Sequence, residues 1–119
     1  MAQSALNTAE PLAAIDRAHL TRMTFGDRSL EQEVLQLFDR QASLLIARMR
    51  NGDGATVGAL AHTLKGSAAG IGAGQVALAA ADAERAAAAA PAELSATIDR
   101  LAQAVDEARV LIGELLRQA

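Results

Sequence analysis

Apolar residues recur at steps of three and four along nearly the whole chain, and strand-like alternation is absent. The clearest run is the last: Leu94, Ile98, Leu101, Val105, Ala108, Ile112 and Leu115 alternate steps of four and three, the signature of one buried helix face. An earlier run, Leu30, Val34, Phe38, Ala42, Leu45 and Met49, predicts a long helix that Asn51-Gly52 stops. Ser29 followed by Gln32 has capping-box spacing and is expected to open it. Asp53 can cap a third helix, with Val57, Leu60 or Ala61, Leu64, Ala68 and Ile71 as its apolar stripe and Gly70, Gly72 and Gly74 at its end. A fourth helix is expected from Gln75 to Ala90, with Val76, Ala80, Ala83 and Ala87 facing inward, before Pro91 breaks the pattern. Upstream, Ile15, Leu20 and Met23 mark a short helix over Asp16 to Thr24 that ends near Gly26.

Short connections between long amphipathic helices predict an all-α fold: an antiparallel four-helix bundle over residues 12–119, with a short additional N-terminal helix as a lid. Residues 1–11 are polar and small, without periodicity, and are expected to form a loose arm. Alanine dominates a composition with only two aromatic residues, Phe25 and Phe38, which strengthens the helical reading.

Composition also removes whole classes of function. The absence of cysteine excludes disulfides, thiolate metal sites and cysteine catalysis. A net charge of −3 gives no reason to expect nucleic acid or an anionic membrane as partner. There is neither an 18-residue apolar run nor the basic-then-apolar start of a signal peptide, so a cytoplasmic protein is expected. A chain of 119 residues beginning at methionine favours a module that stands alone. No His/Asp/Glu grouping has metal-site spacing, and Lys65-Gly66-Ser67 has the wrong order and setting for a nucleotide-phosphate loop. No kinase domain fits in this length.

The chemistry concentrates on the third helix. Residues three and four apart are neighbours there, so Lys65 lies one turn beyond His62 and Gly66 leaves the space above the ring open. Gly58 and Ala69 share the same side, and Ala59 flanks it. A nucleophilic imidazole with a cation beside it and no bulky neighbours suits a phosphoryl acceptor approached by a second protein. Glycine within a helix costs about 1 kcal/mol against alanine, so Gly66 asks for a reason: approach of a partner, or close helix packing. Ser67 either bonds back to a helical carbonyl or steadies the phosphoryl group. On the returning fourth helix Glu84 sits at a similar height and at the edge. Its carboxylate could accept a proton from Nδ1 and leave Nε2 to attack, or simply be solvated. His19 has no such surroundings and reads as a surface or packing residue.

The run His62-Thr63-Leu64-Lys65-Gly66-Ser67-Ala68, followed by Ile71-Gly72, resembles the phosphoacceptor signature of histidine-containing phosphotransfer (HPt) domains. The likeness extends from about Asp16 to Leu116, is specific at Leu60 to Gly72, and is supported by Ala83-Glu84 where Leu-Glu is common in the family. It implies a helical bundle that relays a phosphoryl group between receiver-domain aspartates, or takes it from a hybrid histidine kinase. His62 would be the acceptor, Lys65 a nearby charge and Glu84 an imidazole orienter. Gly58, Ala59, Gly66, Ser67 and Ala69 would form the docking face, on the exposed sides of the second and third helices. Such a protein is a phosphocarrier rather than an enzyme, has no cofactor of its own, and relies on Mg²⁺ held by the receiver. It is expected to be a monomer. Two other readings use the same residues differently: a phosphate-independent adaptor that sequesters a receiver or kinase, and a structural bundle that self-associates through its alanine-rich fourth helix.

Overall fold

Every regular element in residues 14–118, the part described by the computed structural model, is helical. Five α-helices follow one another: α1 (Arg17–Met23), α2 (Arg28–Arg50), α3 (Gly54–Ile71), α4 (Gly74–Ala89) and α5 (Leu94–Arg117), with a 3-10 turn over Pro91–Glu93 before the last. The expected arm over residues 1–11 lies outside the described residues.

Three of the five starts have a side-chain cap. Asp16, Asp27 and Asp53 stand just before α1, α2 and α3, and each carboxylate accepts a bond from the backbone N–H three residues on, at 3.1, 3.0 and 2.9 Å. These bonds satisfy donors that a helix start leaves free. The backbone bond from Thr56 holds the Asp53 carboxyl below its usual range. The Ser29 box expected to open α2 is not the cap: Ser29 lies inside the helix, which Asp27 starts two residues earlier. Proline at the first position of the 3-10 turn costs no hydrogen bond, since its missing N–H would be unpaired there.

The core is continuous, and α3 lies at its centre, packed on α1, α2 and α4, while α5 closes against α2 and α4. All six expected positions of the α3 stripe are buried. On α2, Leu30 and Val34 are only half-buried, and Leu35 takes the buried place instead. On α4 the inward residue is Ala86, while Ala87 is half-buried against α3. Met23, expected on the buried side of α1, is half exposed. Leu94 is half-buried, and the rest of the α5 stripe is buried as its spacing predicts.

Polar contacts at the edges add to this packing. Arg109 of α5 donates to Asp39 at 2.7 Å and to Ser43 at 2.9 Å on α2, and the Asp39 carboxylate holds the guanidinium pKa above its usual value. Near the opposite end of the same pair, Arg50 meets Asp99 at 2.9 Å.

The connection that sets the site is the turn between α3 and α4. Gly72 closes α3 in the left-handed region, at φ 81°, which glycine adopts without strain. Its carbonyl accepts a 2.8 Å bond from the Asp16 N–H, and a Cβ there would lie 2.8 Å from the Asp16 carbonyl oxygen. His19 covers the same turn, 3.3 Å from where that Cβ would sit, which makes it a packing residue. The start of α1 is thereby clasped to the α3–α4 turn.

Candidate functional site: an exposed histidine held by a carboxylate

The inner face of α3 buries Ala61, Leu64 and Ala68 completely, and His62 stands beside that face with 68% of its side chain exposed. Across the groove, Ala83 is fully buried, which puts Glu84 at the edge of α4. The two helices bring Glu84 Oε2 to 2.9 Å from His62 Nδ1. The other carboxylate oxygen, Oε1, accepts a 2.8 Å bond from Lys65 Nζ. One carboxylate thus bridges two residues that are one turn apart on α3.

The electrostatics follow from this bridge. The Lys65 ammonium, and after it the His62 ring, hold the Glu84 carboxyl below its usual value, although partial desolvation pushes the other way. An ionised carboxylate only accepts hydrogen bonds, so the proton between the two groups belongs to Nδ1. In the neutral imidazole the lone pair then sits on Nε2. No other hydrogen bond holds the ring among the described residues.

Around the ring the surface is low. Gly66 is exposed, and a methyl group added there would meet no atom within 4 Å, so helix packing does not require glycine at this position. Gly58 is half-buried, with a Cβ at that position 3.6 Å from the Ala87 methyl. Ala59 and Ala69 are exposed. Ser67, five residues on, lies about 140° around the helix from His62. It is half-buried and makes no side-chain hydrogen bond among the described residues. The structure therefore gathers His62, Lys65 and Glu84 and surrounds them with Gly58, Ala59, Gly66 and Ala69, but it does not bring Ser67 to the ring.

Two features escaped the sequence reading. Lys65 was expected as a charge beside the acceptor, and the pairing of its ammonium with Glu84 was not foreseen. The three-residue step from His62 to Lys65 held that signal, because a carboxylate reaching one can reach the other. The second is a shallow groove between α3 and α4, about 600 Å³ in volume, walled by Ala55 and Ala59 on one side and Ala87 and Ala88 on the other. His62 and Glu84 stand on its lining. A tract of identical small residues gives no sequence signal for it.

The site is thus an exposed imidazole hydrogen-bonded to a carboxylate on an open face of a helical bundle. The sequence matches the Hpt domain family over residues 28–111, more than half of the chain, and the protein belongs to that family. Membership implies histidine phosphotransfer in two-component phosphorelays and interaction with the receiver or kinase domains of such systems. No curated protein and no solved structure gives a significant match. Among the described residues, no helix is long and apolar enough to cross a membrane.

Proposed function

We propose that the protein accepts a phosphoryl group on Nε2 of His62 from the aspartyl phosphate of a receiver domain, or from a hybrid histidine kinase, and passes it to another receiver aspartate. The observation that carries this reading is the 2.9 Å contact between His62 Nδ1 and Glu84 on a ring that remains largely exposed. With the proton kept on Nδ1, the Nε2 lone pair attacks phosphorus. The Nε2–P bond forms as the bond from phosphorus to the aspartyl oxygen breaks, and the aspartate leaves as a carboxylate. The phosphorylated ring retains its Nδ1 proton and becomes cationic, and the Glu84 carboxylate lies against that charge. Transfer of this kind is mostly positioning and electrostatics. Mg²⁺ held by the receiver would supply the main neutralisation of the moving group.

In this reading Glu84 and Lys65 are positioning residues. Glu84 orients the ring, and Lys65 steadies Glu84 while keeping a positive charge one turn from the acceptor. Gly58, Ala59, Gly66 and Ala69 keep the approach clear. The scaffold is an antiparallel four-helix bundle with α1 at one end, which the successive packing of α2 on α3, α3 on α4, α4 on α5 and α5 on α2 supports.

The test is direct phosphorylation by phosphoramidate, followed by intact mass at neutral to alkaline pH. One acid-labile phosphoryl adduct is expected, absent from His62→Gln, whose helical circular dichroism is unchanged. An adduct on both proteins would move the site elsewhere. No adduct on either would favour the adaptor reading.

A further inference from the structure

The outward face of α2 is complementary to itself when reversed. Leu37 and Leu44 are two turns apart on one side of the helix, and they are 47% and 59% exposed. Among the described residues, α2 is the one helix that carries two exposed large apolar side chains. Glu33 precedes the first leucine by four residues and Arg48 follows the second by four, and both are exposed. Arg40 and Gln41 occupy the centre of the same face. Neither Glu33 nor Arg48 forms an ion pair among the described residues. They stand about 22 Å apart along the helix, so they cannot meet within one chain.

A second copy of this face, laid antiparallel, brings them together. With the two-fold axis between residues 40 and 41, Leu37 lies opposite Leu44 of the second copy, Glu33 opposite Arg48, and Arg40 opposite Gln41. Each pairing occurs twice, as an isologous interface requires. The leucines lose their contact with water against one another, and both ends close on opposite charges.

We infer that the protein forms a two-fold homodimer through the outward face of α2, with Leu37 and Leu44 at the centre of the contact and Glu33–Arg48 pairs at its ends. Such a dimer needs nothing of the His62 chemistry. It differs from the monomer expected from sequence, and its contact lies on α2 rather than on the alanine-rich α4. The charges also select the direction of pairing. Parallel helices would set Glu33 against Glu33 and Arg48 against Arg48, and both contacts are repulsive.

Sedimentation equilibrium on the full chain at low salt, from about 10 μM to about 1 mM, tests this. The average mass is expected to rise from that of the monomer toward twice that value. Leu37→Asp and Leu44→Asp should each weaken association about tenfold or more, whereas Leu78→Asp, at a 72% exposed leucine of α4, should change it less than about twofold. Glu33→Arg and Arg48→Glu should each weaken it as well, by setting like charges opposite one another. Mixed in equal amounts, these two variants should associate with each other at close to the unmodified strength, because every opposite-charge pairing is then restored. Circular dichroism checks the fold of each variant. A monomer throughout the concentration range would overturn the inference, as would association that ignores Leu37 and Leu44. Association of the unmodified protein with no recovery in the mixture would overturn the antiparallel pairing.

Discussion

Replacing Gly66 with alanine adds one methyl group to the outer face of α3, and the structure gives that methyl nothing to strike within 4 Å. Gly66 lies well inside the helix and has an ordinary helical backbone, so only intrinsic propensity changes. Alanine is favoured over glycine there by about 1 kcal/mol, because the glycine chain loses more freedom on folding. For a domain of this size the gain corresponds to a rise of about 4 °C in melting temperature. With a urea slope near ~1.5 kcal/mol/M it raises the denaturation midpoint by about 0.7 M at unchanged slope. The same methyl lies one turn above the His62 ring, where it holds a docking protein away from the acceptor nitrogen. Discharge of phosphorylated protein to a receiver is therefore expected to slow about tenfold, since small misplacements of reacting groups are costly. Chemical denaturation and a transfer assay on the same sample read both effects. Destabilisation by Gly66→Ala would refute the claim that packing leaves this position free. Greater stability with an unchanged transfer rate would refute the link between the missing side chain and partner approach.

Three further outcomes follow from particular contacts. Phe25 adopts φ 57° and is 90% exposed, in a turn where Gly26 N–H reaches the Thr21 carbonyl at 2.9 Å and Phe25 N–H reaches the Arg22 carbonyl at 3.3 Å. Glycine is the usual residue in this left-handed position, so Phe25→Gly should stabilise the protein by about 0.5–1 kcal/mol in urea denaturation, the conformational relief exceeding glycine's entropy cost. Gly72→Ala should do the reverse and cost at least about 2 kcal/mol, because the new Cβ meets the Asp16 carbonyl at 2.8 Å and the backbone is left-handed; hydrogen exchange should show α1 loosening first. The Glu84 carboxyl should titrate below the ordinary value of 4.5 when followed by carbon-13 NMR, and Lys65→Met should move its midpoint upward. The sign is that of a depressed carboxyl: its stabilising contacts with Lys65 and His62 are complete above about 4.5 and are lost as pH falls through the lowered folded value.

The helices were legible because burial on α3 and α5 demands large apolar residues at a helical period. Val57, Leu64 and Ile71 therefore mark one side, and the choice left open between Leu60 and Ala61 resolves as burial of both. Legibility weakens where the alphabet shrinks. On α4 Ala86 and Ala87 are chemically identical, so only the position of α3 decides which one is buried. The start of α2 was misplaced for a different reason. The turn at Phe25 and Gly26 delivers the chain in extended conformation at Asp27, with φ −79° and ψ 110°, so its carboxylate caps the helix before Ser29 can. Gly26 announces the end of α1, but the left-handed C′ position one residue earlier is occupied by phenylalanine, which gives no sign that the turn delivers Asp27 as the cap. At the site, the signature around His62 was readable as a linear motif. The bridging of His62 and Lys65 by a single carboxylate required the pairing of two helices.

That pairing is set by the turn at Gly72. His62 lies ten residues before it and Glu84 twelve after, so at 1.5 Å per residue the two stand about 15 and 18 Å from the turn. The difference is within the reach of a glutamate side chain. One residue more in the connection would advance α4 by about 1.5 Å and rotate it by about 100°, carrying the carboxylate off the groove edge. The turn has little freedom to change, because the Asp16 N–H holds the Gly72 carbonyl and His19 covers it from α1. The short N-terminal helix therefore does more than cover the end of the bundle. By fixing the α3–α4 register from outside, it keeps Glu84 on the Nδ1 side of a histidine that, among the described residues, no other hydrogen bond restrains. The exposed face of α3 is consequently free to carry few bulky side chains, and the register of the site is set at the turn, ten residues away from His62.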